Sequence, residues 1–320
     1  MEMIRLVSGS SNRELAKEIS AYVNVPLTPV HMSKFKDGEI YVRLLDTVRG
    51  SDVFIIQSTC NNVNEHLMEM LILIDAAKRA SANSINVIVP YYGYARQDRI
   101  SHPREALTAR LVANMIEVAG ASRLVSVDFH SGQTQGFFNI PTDNMWGIPV
   151  LAAKLSGVQL VDPVVVSPDH GGVSRARFMA KLLDVPLAIV DKRRTAHNVS
   201  EVMNLIGDVA GRDAIMVDDM IDTGGTIINA AAALKKAGAG RIFVCATHPI
   251  LSEDAAERLE RSLIEKVFVT NTIPLAEHKQ VSKIVQVSIA QLLGESIVRI
   301  YQQKSLTELY QKREAPASKK

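Results

Sequence analysis

The sequence predicts an α/β protein of two tandem units, each a mainly parallel sheet flanked by helices. Three observations carry this expectation. Short apolar runs of strand length alternate with helical patterns almost throughout, the arrangement that covers a parallel sheet on both faces. Proline and glycine gather at mid-chain in "FFNIPTDNMWGIPV", which puts a boundary near Trp146. Each half also has a strand that runs into an arginine-bearing loop, "VIVPYYGYARQDR" and "VVVSPDHGGVSRAR". These loops share little identity, so they are a limited sign of a duplicated unit. The expected division is 1–146, 147–310 and a polar tail over 311–320.

Taken in order, "VFIIQS", "INVIVPY" and "RLVSVDFH" read as buried strands of the first half. Between them "NEHLMEMLILIDAAKRA" sets Leu67, Met70, Leu71 and Ile74 on one helical face. "ALTARLVANMIEVAGA" follows the same logic and stops near Gly120. In the second half "PVVVSPD", "PLAIVDKRR", "DAIMVDD", "RIFVCATH" and "KVFVTNT" are strand candidates, with helices between most of them.

Composition narrows the class. The 320 residues are 47% hydrophobic and 22% charged, with a net charge of +2. That balance offers no field for nucleic acid or a membrane surface, and neither partner is expected. Cys60 and Cys245 lie far apart with no metal-ligand spacing, which suits a reduced, cytoplasmic setting. No apolar run approaches the about 18 residues of a membrane span, and the start lacks the pattern of a secretory signal.

"VDDMIDTGGT" carries the chemistry. The apolar "AIMV" reads as a strand, with Asp218 and Asp219 where it ends, and "TIINAAAALKKAG" as the helix that follows. In an open α/β sheet, ligands bind beyond the carboxyl ends of the strands. The glycines of "DTGGT" let backbone N–H groups converge on an anion at the helix N-terminus, and Thr223 and Thr226 add hydroxyl donors. The carboxylates suit sugar hydroxyls. A sugar phosphate satisfies both demands. An ordinary strand-to-helix turn with an aspartate cap is the alternative, but it does not account for two carboxylates ahead of the cap.

This stretch resembles the ribose-phosphate loop of type I phosphoribosyltransferases. With "FKDGEIYVRLLDTVRG", "PYYGYARQDR", "DFHSGQTQGFF", "VVSPDHGGVSRAR", "VDKRR" and "CATHPIL", the chain resembles the ribose-phosphate diphosphokinase (phosphoribosyl pyrophosphate synthetase) family, in family order from near Ile4 to about residue 310. The resemblance implies two phosphoribosyltransferase-like domains. It also implies transfer of the β,γ-diphosphoryl group of ATP to the 1-hydroxyl of ribose 5-phosphate. By the same resemblance Asp218, Asp219, Asp222, Thr223, Gly224, Gly225 and Thr226 hold ribose 5-phosphate. Phe35 stacks on adenine while Asp37 and Glu39 accept from its amino group, with Gly38 in the same loop. Taken alone, "FKDGE" would be a hairpin turn.

Arg96, Gln97 and Arg99 follow a strand and can clamp a triphosphate; the family assigns Arg96 and Gln97 to ATP. His130 and Asp169 are implied to bind Mg²⁺, for which a carboxylate oxygen is the preferred donor type. Lys192 and Arg194 are implied to close over the phosphates as a catalytic lid, with Arg194 also reaching ribose 5-phosphate. A homo-oligomer, a hexamer in the family, is implied because the Phe35 loop serves a neighbouring subunit's ATP site. Ile100 and His102 stand where the family carries cations, so nucleotide affinity or regulation by phosphate and ADP is expected to differ. The competing readings are a phosphoribosyltransferase, which has no need of "FKDGE" and "YARQDR", and a non-catalytic regulatory homologue, which would alter the lid or metal residues.

Overall fold

The computed structural model describes residues 3–193 and 202–311, with side chains over 3–190 and 205–310. The chain forms two compact units, one of Met1–Met145 with the chain from Ile289 onward, the other of Trp146–Ser288.

The first unit runs β1 (Ile4–Ser8), α1 (Arg13–Val23), β2 (Val30–Lys34), β3 (Ile40–Leu44), β4 (Asp52–Ile56), α2 (Val63–Arg79), β5 (Ser84–Val89), α3 (Thr108–Ala119), β6 (Arg123–Val127) and β7 (Thr142–Met145). Its five-stranded sheet has the order β1-β4-β5-β6-β7 and is parallel throughout. The strands are continuous apolar runs because helices cover them. Met70, Leu73 and Ile74 of α2, with Val112 and Ile116 of α3, pack on Val53, Ile55, Val87 and Val89. Burying each such side chain stabilises by about 1.5–3 kcal/mol. Strands β2 and β3 form a separate antiparallel hairpin, with Val30 opposite Leu44 and Lys34 opposite Ile40. Val30, Val42 and Leu44 dock it on the α2 side of the core.

The second unit runs α4 (Ile148–Leu155), β8 (Val164–Ser167), α5 (Val173–Leu183), β9 (Leu187–Arg193), β10 (Val202–Ile206), β11 (Ala214–Ile221), α6 (Gly225–Lys236), β12 (Ile242–Pro249), α7 (Ala255–Arg261), β13 (Lys266–Thr270) and β14 (Ile284–Val287). Its seven strands have the order β10-β9-β8-β11-β12-β13-β14. All pairs are parallel except β9 with β10. Along β11, Ile215 and Val217 face a core shared with α4 and α5. Ala214 and Met216 face the core of α6. From β8 the chain winds one way to β9, and from β11 the other way to β12. The strand order therefore reverses between β8 and β11, the place where an open α/β sheet leaves a crevice at its carboxyl edge.

One part of the expected division differs. Residues 147–310 do not form one unit, because α8 (Ala290–Tyr301) and α9 (Glu308–Gln311) belong with the first. Leu293 and Ile297 of α8 are fully buried, and α8 packs on α1. Tyr22 of α1 lies across Gly294 and its hydroxyl donates to Glu295 at 3.2 Å. A β-carbon at Gly294 would stand 2.5 Å from the Tyr22 ring, so the close approach requires glycine.

Gly294→Ala should therefore destabilise the protein by about 1–3 kcal/mol, the usual effect of overpacking. Urea denaturation measures this, and in a Tyr22→Ala background the loss should shrink because the clashing ring is gone. Equal losses in both backgrounds would show that the α1–α8 contact does not depend on the missing side chain.

Candidate active site

In the first unit the predicted ATP residues occupy two places. Phe35, Asp37, Gly38 and Glu39 form the exposed tip of the β2–β3 hairpin. The Phe35 N–H donates to the Glu39 carbonyl at 2.8 Å and that of Gly38 to the Phe35 carbonyl at 3.0 Å. Asp37 Oδ1 accepts from the Glu39 N–H at 3.1 Å, which fixes the turn. Phe35 is 56% exposed, with only an edge contact to Tyr41 at 5.9 Å between ring centres. Lys34 pairs with Glu65 of α2 at 2.6 Å and ties the hairpin base to the unit.

The second place is the carboxyl edge of the sheet. Tyr92 is buried, donates to the Ala109 carbonyl at 2.8 Å and meets Phe129 and Phe138 edge to face. Thr59, beyond β4, accepts from the Gly93 N–H at 2.6 Å. These contacts anchor the loop after β5, and Arg96, Gln97 and Arg99 stand exposed on it. Thr108 at the start of α3 donates to Gln97 Oε1 at 2.5 Å, which leaves the Gln97 amide N–H groups as donors for a phosphate. The loop after β6 reaches the same region, because Gln133 Nε2 donates to Asp98 at 3.4 Å. His130 is exposed on that loop. The expected strand "RLVSVDFH" stops at Val127, and Asp128 turns the chain with φ 39°. Further along, Glu105 accepts from the Ser101 and His102 N–H groups at 2.8 and 2.9 Å and meets the His102 ring at 2.8 Å. The hydrogen bonds from His102 and Ser101 hold the Glu105 carboxyl below the usual carboxylate range.

In the second unit the residues predicted to hold a sugar phosphate gather at the reversal of strand order. Strand β8 pairs with β11 as far as Val166 opposite Met216, while β12 follows β11 to Pro249 opposite Ile221. Asp218 and Asp219 thus lie within a strand that continues to Ile221, not at its end as the sequence suggested, on the side where β8 has stopped. Asp169, beyond β8, accepts the Gly172 N–H on Oδ1 at 2.9 Å. Ser167 donates to the Asp169 carbonyl at 2.6 Å. His170 is exposed beside it.

Beyond β11, the carbonyl of the partly buried Asp222 accepts the Ser252 N–H at 3.1 Å. Gly224 has φ 75°, a left-handed conformation that favours glycine, and it caps α6. Gly225 opens the helix, whose first N–H groups have no acceptor within it and point along the axis toward the loop. Thr223 and Thr226 are exposed there. Such a loop at a helix N-terminus has the form of an anion nest.

Two arginines that sequence reasoning did not single out complete the site. Arg175, in the first turn of α5, places Nη1 3.4 Å from Asp218 Oδ1 and 3.3 Å from Asp219 Oδ1. A cation in the first turn opposes the helix dipole, and that mismatch was the legible sign that it answers an acid elsewhere. Arg258 of α7 donates to the Thr223 carbonyl at 3.2 Å, fixing that peptide of the nest. The Asp219 side chain is 5% exposed and that of Asp218 18%. Burial first, then the Asp219 carboxylate beside it, pushes Asp218 up to about 8, against the pull of Arg175.

The expected lid residue Arg194 and the Lys192 side chain lie outside the described residues. Among the described residues no three His, Cys, Asp or Glu side chains converge as a metal cage. A hard divalent ion needs only one or two protein ligands, the rest of its shell being water and substrate oxygens. Asp169, partly exposed with its Oδ1 oriented by a backbone N–H, is a donor of that kind.

Residues 4–120 match the family described as the N-terminal domain of ribose phosphate pyrophosphokinase. Residues 167–311 match the phosphoribosyl synthetase-associated domain. The ribose-phosphate pyrophosphokinase of Bacillus caldolyticus is 52% identical over 307 residues, 96% of this chain and 98% of the relative. That of Synechococcus elongatus is 53% identical over 309 residues, 96% and 93% of the two chains. The crystal structure of phosphoribosylpyrophosphate synthetase from Mycobacterium smegmatis matches with a TM-score of 0.89 at 42% identity, covering 94% of this chain and 99% of that one.

The raised Asp218 carboxyl has a signed effect on stability. The folded protein holds this proton more tightly than the unfolded chain. The stability it contributes is therefore full below the ordinary carboxylate range and is lost as pH rises through about 8. Asp218→Asn removes the titration, so the melting temperature of the variant should gain on that of the wild type between about pH 5 and about pH 9. A constant gap across that range would mean that Asp218 is ionised throughout.

Proposed function

This chain belongs to the ribose-phosphate pyrophosphokinase family, and from that premise we propose which of its residues carry out the reaction. The enzyme transfers the diphosphoryl group of ATP to the 1-hydroxyl of ribose 5-phosphate, giving phosphoribosyl pyrophosphate and AMP. The single observation that carries the assignment is the acidic pair on β11 followed by the Gly224–Gly225 nest, at the reversal of strand order. Asp218 and Asp219 accept from the ribose hydroxyls. Asp222, Thr223, Gly224, Gly225 and Thr226 bind the 5-phosphate. The sugar is held at both ends, which fixes the direction of its 1-hydroxyl.

On the nucleotide side Phe35 stacks on adenine, and Asp37 and Glu39 accept from its amino group. Arg96, Gln97 and Arg99 hold the triphosphate. Lys192 and Arg194 neutralise charge that develops as the β-phosphorus passes between oxygens, and they exclude water that would otherwise hydrolyse ATP. The family's reaction is ATP-dependent with a divalent metal. The ion we propose is Mg²⁺, with Asp169 and His130 on the protein side. When bound it would supply charge neutralisation at the phosphate oxygens.

Homo-oligomerisation, as a hexamer, belongs to the same proposal: a 56%-exposed phenylalanine at a hairpin tip suits a neighbour's adenine. A cytoplasmic setting is supported by two buried, unpaired thiols, Cys60 and Cys245. No helix among the described residues is long and apolar enough to cross a membrane. The domain reading assigns the ATP loops to the first unit and the ribose 5-phosphate loop with the lid to the second.

The direct test is AMP formation from ATP that depends on both ribose 5-phosphate and Mg²⁺. Lys192→Ala should lower kcat by about a thousandfold while KM values stay comparatively close, because the charge acts during transfer. Near-normal turnover would remove Lys192 from the mechanism. Mixing inactive Lys192→Ala and Asp37→Ala chains should restore partial activity if the hairpin serves a neighbour. No recovery despite verified subunit exchange would return the hairpin to its own chain.

A further inference from the structure

We infer that Arg175 is a positioning residue of the sugar site, orienting Asp218 and Asp219 so that they select ribose 5-phosphate over its 2-deoxy analogue. The inference rests on the reading that these acids meet the ribose hydroxyls, and it adds a residue that the reading does not contain.

Neighbouring residues of a strand direct their side chains to opposite faces. Two consecutive aspartates on β11 would therefore diverge, and alone they would not converge on adjacent hydroxyls of one sugar. Arg175 counters that divergence. Its Nη1 lies 3.4 Å from Asp218 Oδ1 and 3.3 Å from Asp219 Oδ1, so one guanidinium nitrogen engages an oxygen of each. The Asp219 N–H also donates to Asp218 Oδ1 at 2.9 Å, which fixes the Asp218 carboxylate from a second direction. With Oδ1 committed to the protein, Oδ2 of Asp218 is the oxygen we assign to a sugar hydroxyl.

The topology makes this reach possible. Because β8 stops at Ser167, α5 begins at Val173 beside the exposed side of β11, and α5 packs on both β8 and β11. The Arg175 side chain is 17% exposed, so the contact is held in a partly desolvated place. A charge-assisted contact there is stronger than on the surface. Lysine would bring a compact ammonium on a flexible stem, without the rigid planar guanidinium that holds Nη1 between the two acids.

The test compares Arg175→Gln and Arg175→Lys with the wild type and with Asp218→Asn. Dissociation constants for ribose 5-phosphate and 2-deoxyribose 5-phosphate are measured by calorimetry, with magnesium and a non-hydrolysable ATP analogue present. The KM for ATP and the thermal unfolding curve are recorded alongside. Both Arg175 variants should weaken ribose 5-phosphate binding by about 10–100-fold, the usual effect of losing one charged hydrogen-bond partner. The 2-deoxy sugar should be affected far less, so that discrimination collapses while the KM for ATP stays within about twofold. If Arg175→Gln does not fold, the same readouts on Arg175→Lys decide.

Equal weakening of both sugars would make Arg175 a packing residue and overturn the inference, as would unchanged discrimination. Asp218→Asn separates the two levels. If it abolishes discrimination while the Arg175 variants keep it, the ribose assignment stands and the role of Arg175 falls. If Asp218→Asn itself keeps discrimination, the ribose assignment falls and takes this inference with it.

Discussion

The pairing of β8 with β11 ends at Met216, and the second unit's candidate site depends on that early end. Strand β11 continues for five residues past its last pair with β8, through Ile221, supported on its other side by β12. Asp218 and Asp219 fall on the stretch that β8 leaves unpaired. Ending β8 there admits the Asp169 loop and the first turn of α5 instead. The reversal of strand order then sends α5 and α6 away from each other, and the carboxyl edge stays open. Buried acids, glycine nest and arginine follow from one short strand.

The first unit solves its own problem with different means. Its strand order never reverses, so no crevice comes from topology. The loops after β5 and β6 are shaped by side-chain locks: Thr59 on Gly93, Tyr92 on Ala109, Gln133 on Asp98. Long polar side chains then stand clear of a rigid base. The hairpin tip is held more lightly, by the Lys34–Glu65 pair and the docking of Val30, Val42 and Leu44. An exposed ion pair of this kind contributes little, so the apolar contacts carry most of its anchoring.

Much of this was legible in the sequence, for local reasons. Apolar runs bounded by glycine and proline marked the central strands, and "DTGGT" marked the nest, because each depends on residues next to one another. What escaped depends on distant partners. The extension of β11 through its two aspartates is imposed by pairing with β12, against the low strand preference of aspartate. The return of α8 to the first unit rests on Tyr22 meeting Gly294, positions that no local pattern links. Arg175 sits in a quoted motif, yet its function is set by acids on β11. Lys192 and Arg194 were read by resemblance, and their side chains lie outside the described residues.

The return of α8 also bears on how the chain is made. The second unit is one continuous stretch, Trp146–Ser288, whereas the first is closed by a helix that follows the whole of the second in the chain. Synthesis runs from the N-terminus at about 5–20 residues per second, so the N-terminal sheet must wait for the whole second unit to be made before α8 can cover α1. During that interval the face of α1 that carries Tyr22 has no lid of its own, while the later-made unit is one continuous stretch that needs no segment after it. The domain begun first is thereby the one whose last segment is made after the other is complete.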